Sequence, residues 1–106
     1  MTLSTHRYAV AAQEDRCAPR ISLKIQATLR ASGQSGFTVV VRDLSLAGFS
    51  CEAVTGMHVG ALCWLTLPGL SGLQAEVMRN DGIIVGCAFA NLLNPAVLDA
   101  VIARSA

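Results

Sequence analysis

The chain has 106 residues, of which 53% are hydrophobic and 14% are charged. This length fits a single domain with one core, and this composition excludes an intrinsically disordered chain. The net charge of +1 excludes the broad basic surface of a general DNA- or RNA-binding protein. An anion-binding site in this chain must therefore be local and made of a few arginines.

The first residues differ in character from the rest of the chain. Residues 1–15 show no hydrophobic period and end in the polar run Gln13, Glu14 and Asp15, which predicts a flexible N-terminal arm before a domain over residues 16–106. The apolar run at residues 8–12 is too short for the core of a signal peptide, and no run approaches the length of a membrane span. We therefore expect a cytoplasmic protein that does not insert into a membrane.

The four cysteines are dispersed along the chain and fit a reducing compartment. They form no CxxC pair, and no histidine lies at a spacing typical of metal ligands. Cys51, Cys63 and Cys87 fall in β-rich segments, where a free cysteine usually acts as a small apolar core residue. We expect no metal ion and no cofactor; a zinc site is the less favoured alternative.

Six segments are predicted to be strands. Residues 21–30 alternate between apolar and polar side chains, which is typical of a strand with one buried and one solvated face. The next residues, 31–36, are predicted to form a loop because they are rich in glycine and serine. Further strands are predicted at residues 37–44, 49–54, 61–67, 73–79 and 83–90, and the turn before the last one contains Asp81-Gly82, a pair favoured in tight hairpins.

At the end of the chain the spacing of the apolar residues changes to that of a helix. Asn94 and Pro95 suit the N-cap and the first helical position, and the helix is predicted over residues 95–104. Its apolar residues Val97, Leu98, Val101 and Ile102 share one side, which should pack on the sheet. Short strands in hairpin succession with one helix indicate an all-β fold, an antiparallel barrel or sandwich.

The first motif with a chemical function is RxxxR, formed by Arg16 and Arg20. Pro19 lies inside the interval and disfavours a helix there, so the segment is predicted to be a loop or extended. Two guanidinium groups at this spacing suit different parts of one sizeable anionic ligand, since each offers a planar fork that matches phosphate oxygens or the O6/N7 edge of guanine. Two solvated surface arginines are the alternative.

The second motif is DxSxxG, formed by Asp43, Ser45 and Gly48. In an extended strand Asp43 and Ser45 would continue the row of Phe37, Val39 and Val41, which would place a carboxylate and a hydroxyl at the rim of the barrel. The alternative is a plain turn, because Ser at the first position and Gly at the fourth are ordinary turn residues. The register of the strand is also open, because Val40 and Leu44 are apolar on the other parity.

Together the two motifs resemble the signature of the PilZ domain family, in which RxxxR precedes the first strand and DxSxxG ends the second. The resemblance runs from Arg16 to about Phe89. It implies a six-stranded antiparallel β-barrel that binds cyclic di-GMP through Arg16, Arg20, Asp43, Ser45 and Gly48. It further implies a non-catalytic second-messenger receptor that changes conformation on binding and signals to a downstream protein.

Two features depart from the family's pattern. The late hairpin of the family often carries a tryptophan near Met78, whereas the only tryptophan here is Trp64, expected in the core or at the rim. Asp15 stands before Arg16, where a basic residue is common. The alternative function is a PilZ-fold adaptor that contacts proteins and binds no nucleotide.

An enzyme is not expected. Neither histidine, His6 or His58, is accompanied by a carboxylate pair or a nucleophile motif, and each is expected to be a surface residue.

Overall fold

The computed structural model describes residues 20–52 and 57–105. These residues form six strands and one helix: β1 (Ile21–Ala31), β2 (Phe37–Leu44), β3 (Gly48–Glu52), β4 (Leu62–Thr66), β5 (Leu73–Asn80), β6 (Ile84–Phe89) and α1 (Pro95–Ser105). The predicted six-stranded antiparallel barrel with a C-terminal helix is confirmed. The predicted arm, residues 1–15, lies outside the described residues.

The six strands close into a barrel in the order β1-β2-β3-β6-β5-β4. All neighbouring strands are antiparallel, and β4 closes the ring by pairing with β1 from Thr28↔Thr66 to Ala31↔Cys63. This pairing joins the two end strands of the sheet over four residues each. The strand order also puts β3 directly beside β6, so residues near position 50 lie next to residues near position 86.

The alternation of apolar and polar residues decides which side chains fill the barrel. In β1, buried residues from Ile25 to Ala31 alternate with exposed ones, as the sequence predicted. The rings of Phe49 and Phe89 meet in the interior with centroids 5.4 Å apart. Each fully buried Leu, Val or Phe contributes roughly 1.5–3 kcal/mol. The largest fully buried side chains are Phe49, Phe89, Leu29, Leu44, Leu65, Leu67, Val41, Val77, Val85 and Val101.

A β-bulge interrupts the alternation of buried and exposed side chains in β2. The register with β3 shifts between Val41 and Asp43, and Val41 and Leu44 are both fully buried although they are three residues apart. One extra residue in a strand turns the following side chains to the opposite face. The prediction that Asp43 continues the inward row of Val39 and Val41 is therefore wrong: Asp43 lies on the outer surface.

The helix forms as predicted and ends one residue later, at Ser105. The Asn94 side-chain oxygen accepts a hydrogen bond from the backbone N–H of Ala96 at 2.8 Å, which is the interaction expected of an N-cap. Leu98 and Val101 are buried in the main core. Within residues 20–52 and 57–105, no helix has both the length and the apolar composition needed to cross a bilayer.

Candidate functional site

The ion pair of Arg20 and Asp43 is the centre of the candidate site. Arg20 directly precedes β1, and Asp43 lies near the end of β2, opposite Ser22. Both Nε and Nη2 of Arg20 donate to Asp43 Oδ1, at 3.0 and 2.5 Å. Two motifs 23 residues apart in the chain thus meet on the outer surface of the barrel, where the two side chains are 33% and 27% exposed.

Arg20 has a further partner, Ser50, that the sequence analysis missed. Its Nη2 also donates to Ser50 Oγ at 3.1 Å. Ser50 lies on β3 directly opposite Asp43, and it is 1% exposed. A buried hydroxyl needs a hydrogen-bond partner, and Arg20 supplies it. The sequence signal was available, since Ser50 stands between the core residues Phe49 and Cys51 and must point outward, but its partner depends on the pairing of β2 with β3.

The two hydrogen bonds from Arg20 to Asp43 go to the same carboxylate oxygen, Oδ1. Within the described part of the chain, no hydrogen bond reaches Asp43 Oδ2. A carboxylate has about four lone-pair sites, so Asp43 can accept bonds from a ligand while it remains paired with Arg20.

Ser45 and Gly48 form the turn that connects β2 to β3. The backbone N–H of Ser45 donates to the Gly48 carbonyl at 2.9 Å. Ser45 Oγ accepts from the backbone N–H groups of Ala47 and Gly48, each at 3.2 Å, and the side chain is fully buried. These bonds hold the hydroxyl against the backbone of the turn, and contact of Ser45 with a ligand stays a prediction.

Gly48 is required by the close approach of β3 to β6. A Cβ placed on Gly48 would overlap the carbonyl oxygen of Cys87 and would lie 3.3 Å from the Cα of Ala88. Both atoms belong to the backbone of β6 and cannot move aside cheaply. Two of the predicted site residues, Ser45 and Gly48, therefore have structural roles that account for their presence.

The site continues around the barrel as a band of outward-facing positions at one level. The register aligns Ser22, Asp43, Ser50, Gly86 and Arg79, on β1, β2, β3, β6 and β5 in turn; we call this set the surface band. The band offers cationic, carboxylate and hydroxyl groups on the outer surface of the barrel. This arrangement can bind a polar anionic molecule.

The sequence model of the PilZ domain matches residues 14–104, which is most of the chain. The chain belongs to the PilZ domain family. The PilZ domain of CeSA from a cellulose-synthesizing bacterium has a similar fold, with a TM-score of 0.59 and 18% sequence identity over 82% of this chain and 94% of that one. A search of curated protein sequences gives no significant match.

PilZ domains are in general cyclic di-GMP receptors without catalytic activity, and they act with partner proteins. Of the five positions of the family signature in this chain, Arg20, Asp43, Ser45 and Gly48 lie within the described residues, and Arg16 lies outside them. The structure brings Arg20 and Asp43 into direct contact and places Ser45 and Gly48 in the adjoining turn.

Trp64, Met78 and His58 lie on elements other than those that carry Arg20 and Asp43. Trp64, on β4, is half-buried, and the Arg30 guanidinium lies 4.5 Å from the centre of its ring. Met78 lies within the β5 bulge and is 36% exposed. His58 is exposed in the loop before β4; His6 lies outside the described residues.

Cys51, Cys63 and Cys87 are buried core residues, as predicted. Burial raises the pKa of the Cys51 thiol to about 12, with smaller contributions from Cys63 and Glu52. A hydrogen bond with Cys63, together with burial, raises the pKa of the Cys87 thiol. Thiols in this state are poor nucleophiles. In the part of the chain that the structure describes, no group of three or more His, Cys, Asp or Glu side chains is arranged to hold a metal ion.

Proposed function

We propose that this protein binds cyclic di-GMP on the outer surface of its barrel and acts as a non-catalytic receptor. The observation that carries the proposal is the contact of Arg20 with Asp43 and Ser50 in a chain of the PilZ family. The contact joins a guanidinium fork to a carboxylate at a half-exposed position, and both groups are complementary to a guanine nucleotide.

Each charged residue has a role that follows from its hydrogen-bonding groups. Arg16 and Arg20 bind the phosphates and the O6/N7 edge of a guanine, since their forks match both. Asp43 accepts from the N1–H and the exocyclic amine of a guanine, with Oδ2 still available in the described part of the chain. Ser45 and Gly48 contribute through the turn that fixes the end of β2, on which Asp43 stands.

The energetics of these contacts are sufficient. A charge-assisted hydrogen bond contributes roughly 1.5–3 kcal/mol, and micromolar affinity requires about 8 kcal/mol. A few such bonds and base stacking reach this value. Because Arg20 is already held by Asp43 and Ser50, little side-chain entropy is lost when the ligand orders it.

Binding is read by a downstream protein through the segment that carries Arg16. The ligand favours the position of this segment in which Arg16 reaches the phosphates, and a partner recognises the changed surface. Hydrogen exchange should therefore slow in residues 1–15 when cyclic di-GMP is added. Unchanged exchange in a ligand-saturated sample would contradict this part of the proposal.

Isothermal titration of the purified chain with cyclic di-GMP tests the proposal directly. We expect micromolar binding with a defined stoichiometry of one or two nucleotides per chain, and weaker binding of cyclic di-AMP, which lacks the guanine groups that Asp43 accepts from. Absence of binding at millimolar ligand would reject the receptor function and leave the adaptor function, in which the barrel surface contacts protein alone.

A further inference from the structure

Arg79 lies at the far end of the surface band from Asp43. The pairings Asp43↔Ser50, Ser50↔Gly86 and Gly86↔Arg79 step across β2, β3, β6 and β5. Three steps between neighbouring strands amount to about 14 Å. Arg79 thus belongs to the same face as the Arg20–Asp43 pair, although it lies outside the RxxxR and DxSxxG motifs.

The side chain of Arg79 leans from β5 across β6 because residue 86 is a glycine. A Cβ at Gly86 would lie 2.6 Å from Arg79 Nε and 2.9 Å from Arg79 Cγ. The absence of this atom lets the aliphatic stem of Arg79 lie flat on the strand. The guanidinium is thereby displaced from β5 in the direction of β3, where Ser50 and Arg20 lie.

Arg79 forms no hydrogen bond or salt bridge with any described residue, and it is exposed. Arg20 and Arg42, in contrast, each contact a carboxylate. Asp81, a carboxylate close to Arg79 in sequence, directs Oδ1 to the backbone N–H groups of Ile84 and Ile83. The donors of Arg79 are therefore available to a molecule that lies on the surface band.

We propose that Arg79 is an additional ligand-binding residue, which binds a phosphate of the dinucleotide that Arg20 and Asp43 hold. This inference rests on the proposed function. Asp43 fixes a guanine at one end of the band, and Arg79 binds phosphate oxygens farther along the same face. Gly86 is a positioning residue, since it lets the Arg79 side chain cross the strand.

The test compares the affinity for cyclic di-GMP of Arg79→Ala, Gly86→Ala and the double variant by isothermal titration. A charge-assisted hydrogen bond of ordinary strength corresponds to about tenfold or more in affinity, so Arg79→Ala should bind at least about tenfold more weakly. Gly86 does not require a positive φ, and the three atoms nearest to its new Cβ all belong to the flexible Arg79 side chain. Gly86→Ala should therefore fold normally and lose affinity by displacing Arg79.

The double variant should bind no more weakly than Arg79→Ala, because both changes remove the same contact. The matched control is Arg30→Ala, which removes the same charge from the side of the barrel where Arg30 stacks on Trp64; its affinity should stay unchanged. Phosphate contacts do not read the base, so the ratio of affinities for cyclic di-GMP and cyclic di-AMP should be the same in Arg79→Ala as in the unchanged protein.

Three results would overturn the inference. Unchanged affinity of Arg79→Ala, while Arg20→Ala loses binding, would reject Arg79 and leave the proposed function intact. Equal losses for Arg79→Ala and Arg30→Ala would show a general charge effect. A changed selectivity ratio would assign Arg79 to a base and not to a phosphate. Absence of binding by the unchanged protein would instead reject the proposed function, and this inference with it.

Discussion

Two ion pairs lie side by side on the outer surface of the barrel, and they differ in what surrounds them. Arg42 and Glu52 are joined by a 3.1 Å contact, and their side chains are 51% and 47% exposed. Arg20 and Asp43 are less exposed, and Arg20 also donates to the buried hydroxyl of Ser50. An exposed pair of the first kind contributes about 0–1 kcal/mol to stability. The comparison teaches that an arginine and a carboxylate in contact indicate a binding site only when their surroundings fix their positions.

The bulge in β2 creates this difference. Arg42 and Asp43 are adjacent in sequence, and strict alternation would put them on opposite faces. The register shift between Val41 and Asp43 places both on the outside, where Arg42 meets Glu52 and Asp43 meets Arg20. Asp43 thereby lies opposite Ser50, whereas the Arg42 side chain is about half exposed to solvent.

The largest expected effect is a difference in affinity for cyclic di-GMP between variants of Arg20 and of Arg42. Arg20→Ala removes the guanidinium that we assign to the ligand and should lower the affinity for cyclic di-GMP about 100-fold or more, since more than one charge-assisted bond is lost. Arg42→Ala removes the same charge and should bind normally. Calorimetry measures both, and circular dichroism verifies that each variant is folded. Similar losses in the two variants would mean that only net charge matters.

The turn that sets the direction of both pairs should be sensitive to a single methyl group. Gly48→Ala places a Cβ against the backbone of β6, and such overpacking should lower the free energy of unfolding by about 1–3 kcal/mol. At Gly72 the nearest atom to a new Cβ is Thr66 Oγ1 at 3.6 Å, so Gly72→Ala should change stability by no more than about 0.5 kcal/mol. Urea denaturation compares them. Equal stability of the two variants would contradict the close approach of β3 and β6.

The two carboxylates should differ in what they recognise. Asp43→Ala should reduce the preference for cyclic di-GMP over cyclic di-AMP by about tenfold, because a pair of hydrogen bonds to a base edge contributes about 1–3 kcal/mol to discrimination. Glu52→Ala should leave this preference unchanged. Competition titrations measure the ratio. If Asp43→Ala still distinguishes the two nucleotides as well as the unchanged protein does, Asp43 has only a structural role.

The smallest effect concerns the Asp81 carboxylate, which backbone N–H groups hold by hydrogen bonds. Hydrogen bonds from the N–H groups of Ile84 and Ile83 lower the pKa of Asp81 below its ordinary value of 3.8. A lowered pKa means that this contribution to stability is fully present above about pH 4 and is lost as the pH falls through the folded-state pKa. Asp81→Asn should therefore be less stable than the unchanged protein at neutral pH, and the difference should vanish in acid.

Denaturation of both proteins at several pH values measures this difference. A difference that does not depend on pH would show that the charge of Asp81 is not involved.

The strands, the helix and most of the core could be predicted from local sequence. The alternation of residues 21–30 matched β1, and the Asn94-Pro95 pair marked the start of α1. The Asp81-Gly82 sequence marked the hairpin in the same way: Gly82 takes a φ of +90°, and the Asp81 carboxylate accepts from the backbone N–H groups of Ile83 and Ile84. These features depend on neighbouring residues alone, so the sequence contains all the information they need.

Less of the site could be predicted in this way. The RxxxR and DxSxxG motifs identified Arg20 and Asp43, which meet, but the outward direction of Asp43 depends on a bulge that has no local sequence marker. The roles of Ser50, Gly86 and Arg79 depend on which strands are neighbours. β3 and β6 lie far apart in the chain, and their contact is fixed only when the barrel closes.

The sequence by itself thus determined the strands, the helix cap, the apolar core positions and the two motifs, because hydrophobic period and turn chemistry act over a few residues. Only the tertiary structure decided that Ser50 holds Arg20 and that Arg79 crosses Gly86. Those contacts join residues on different strands, and the closed order of the strands places them together.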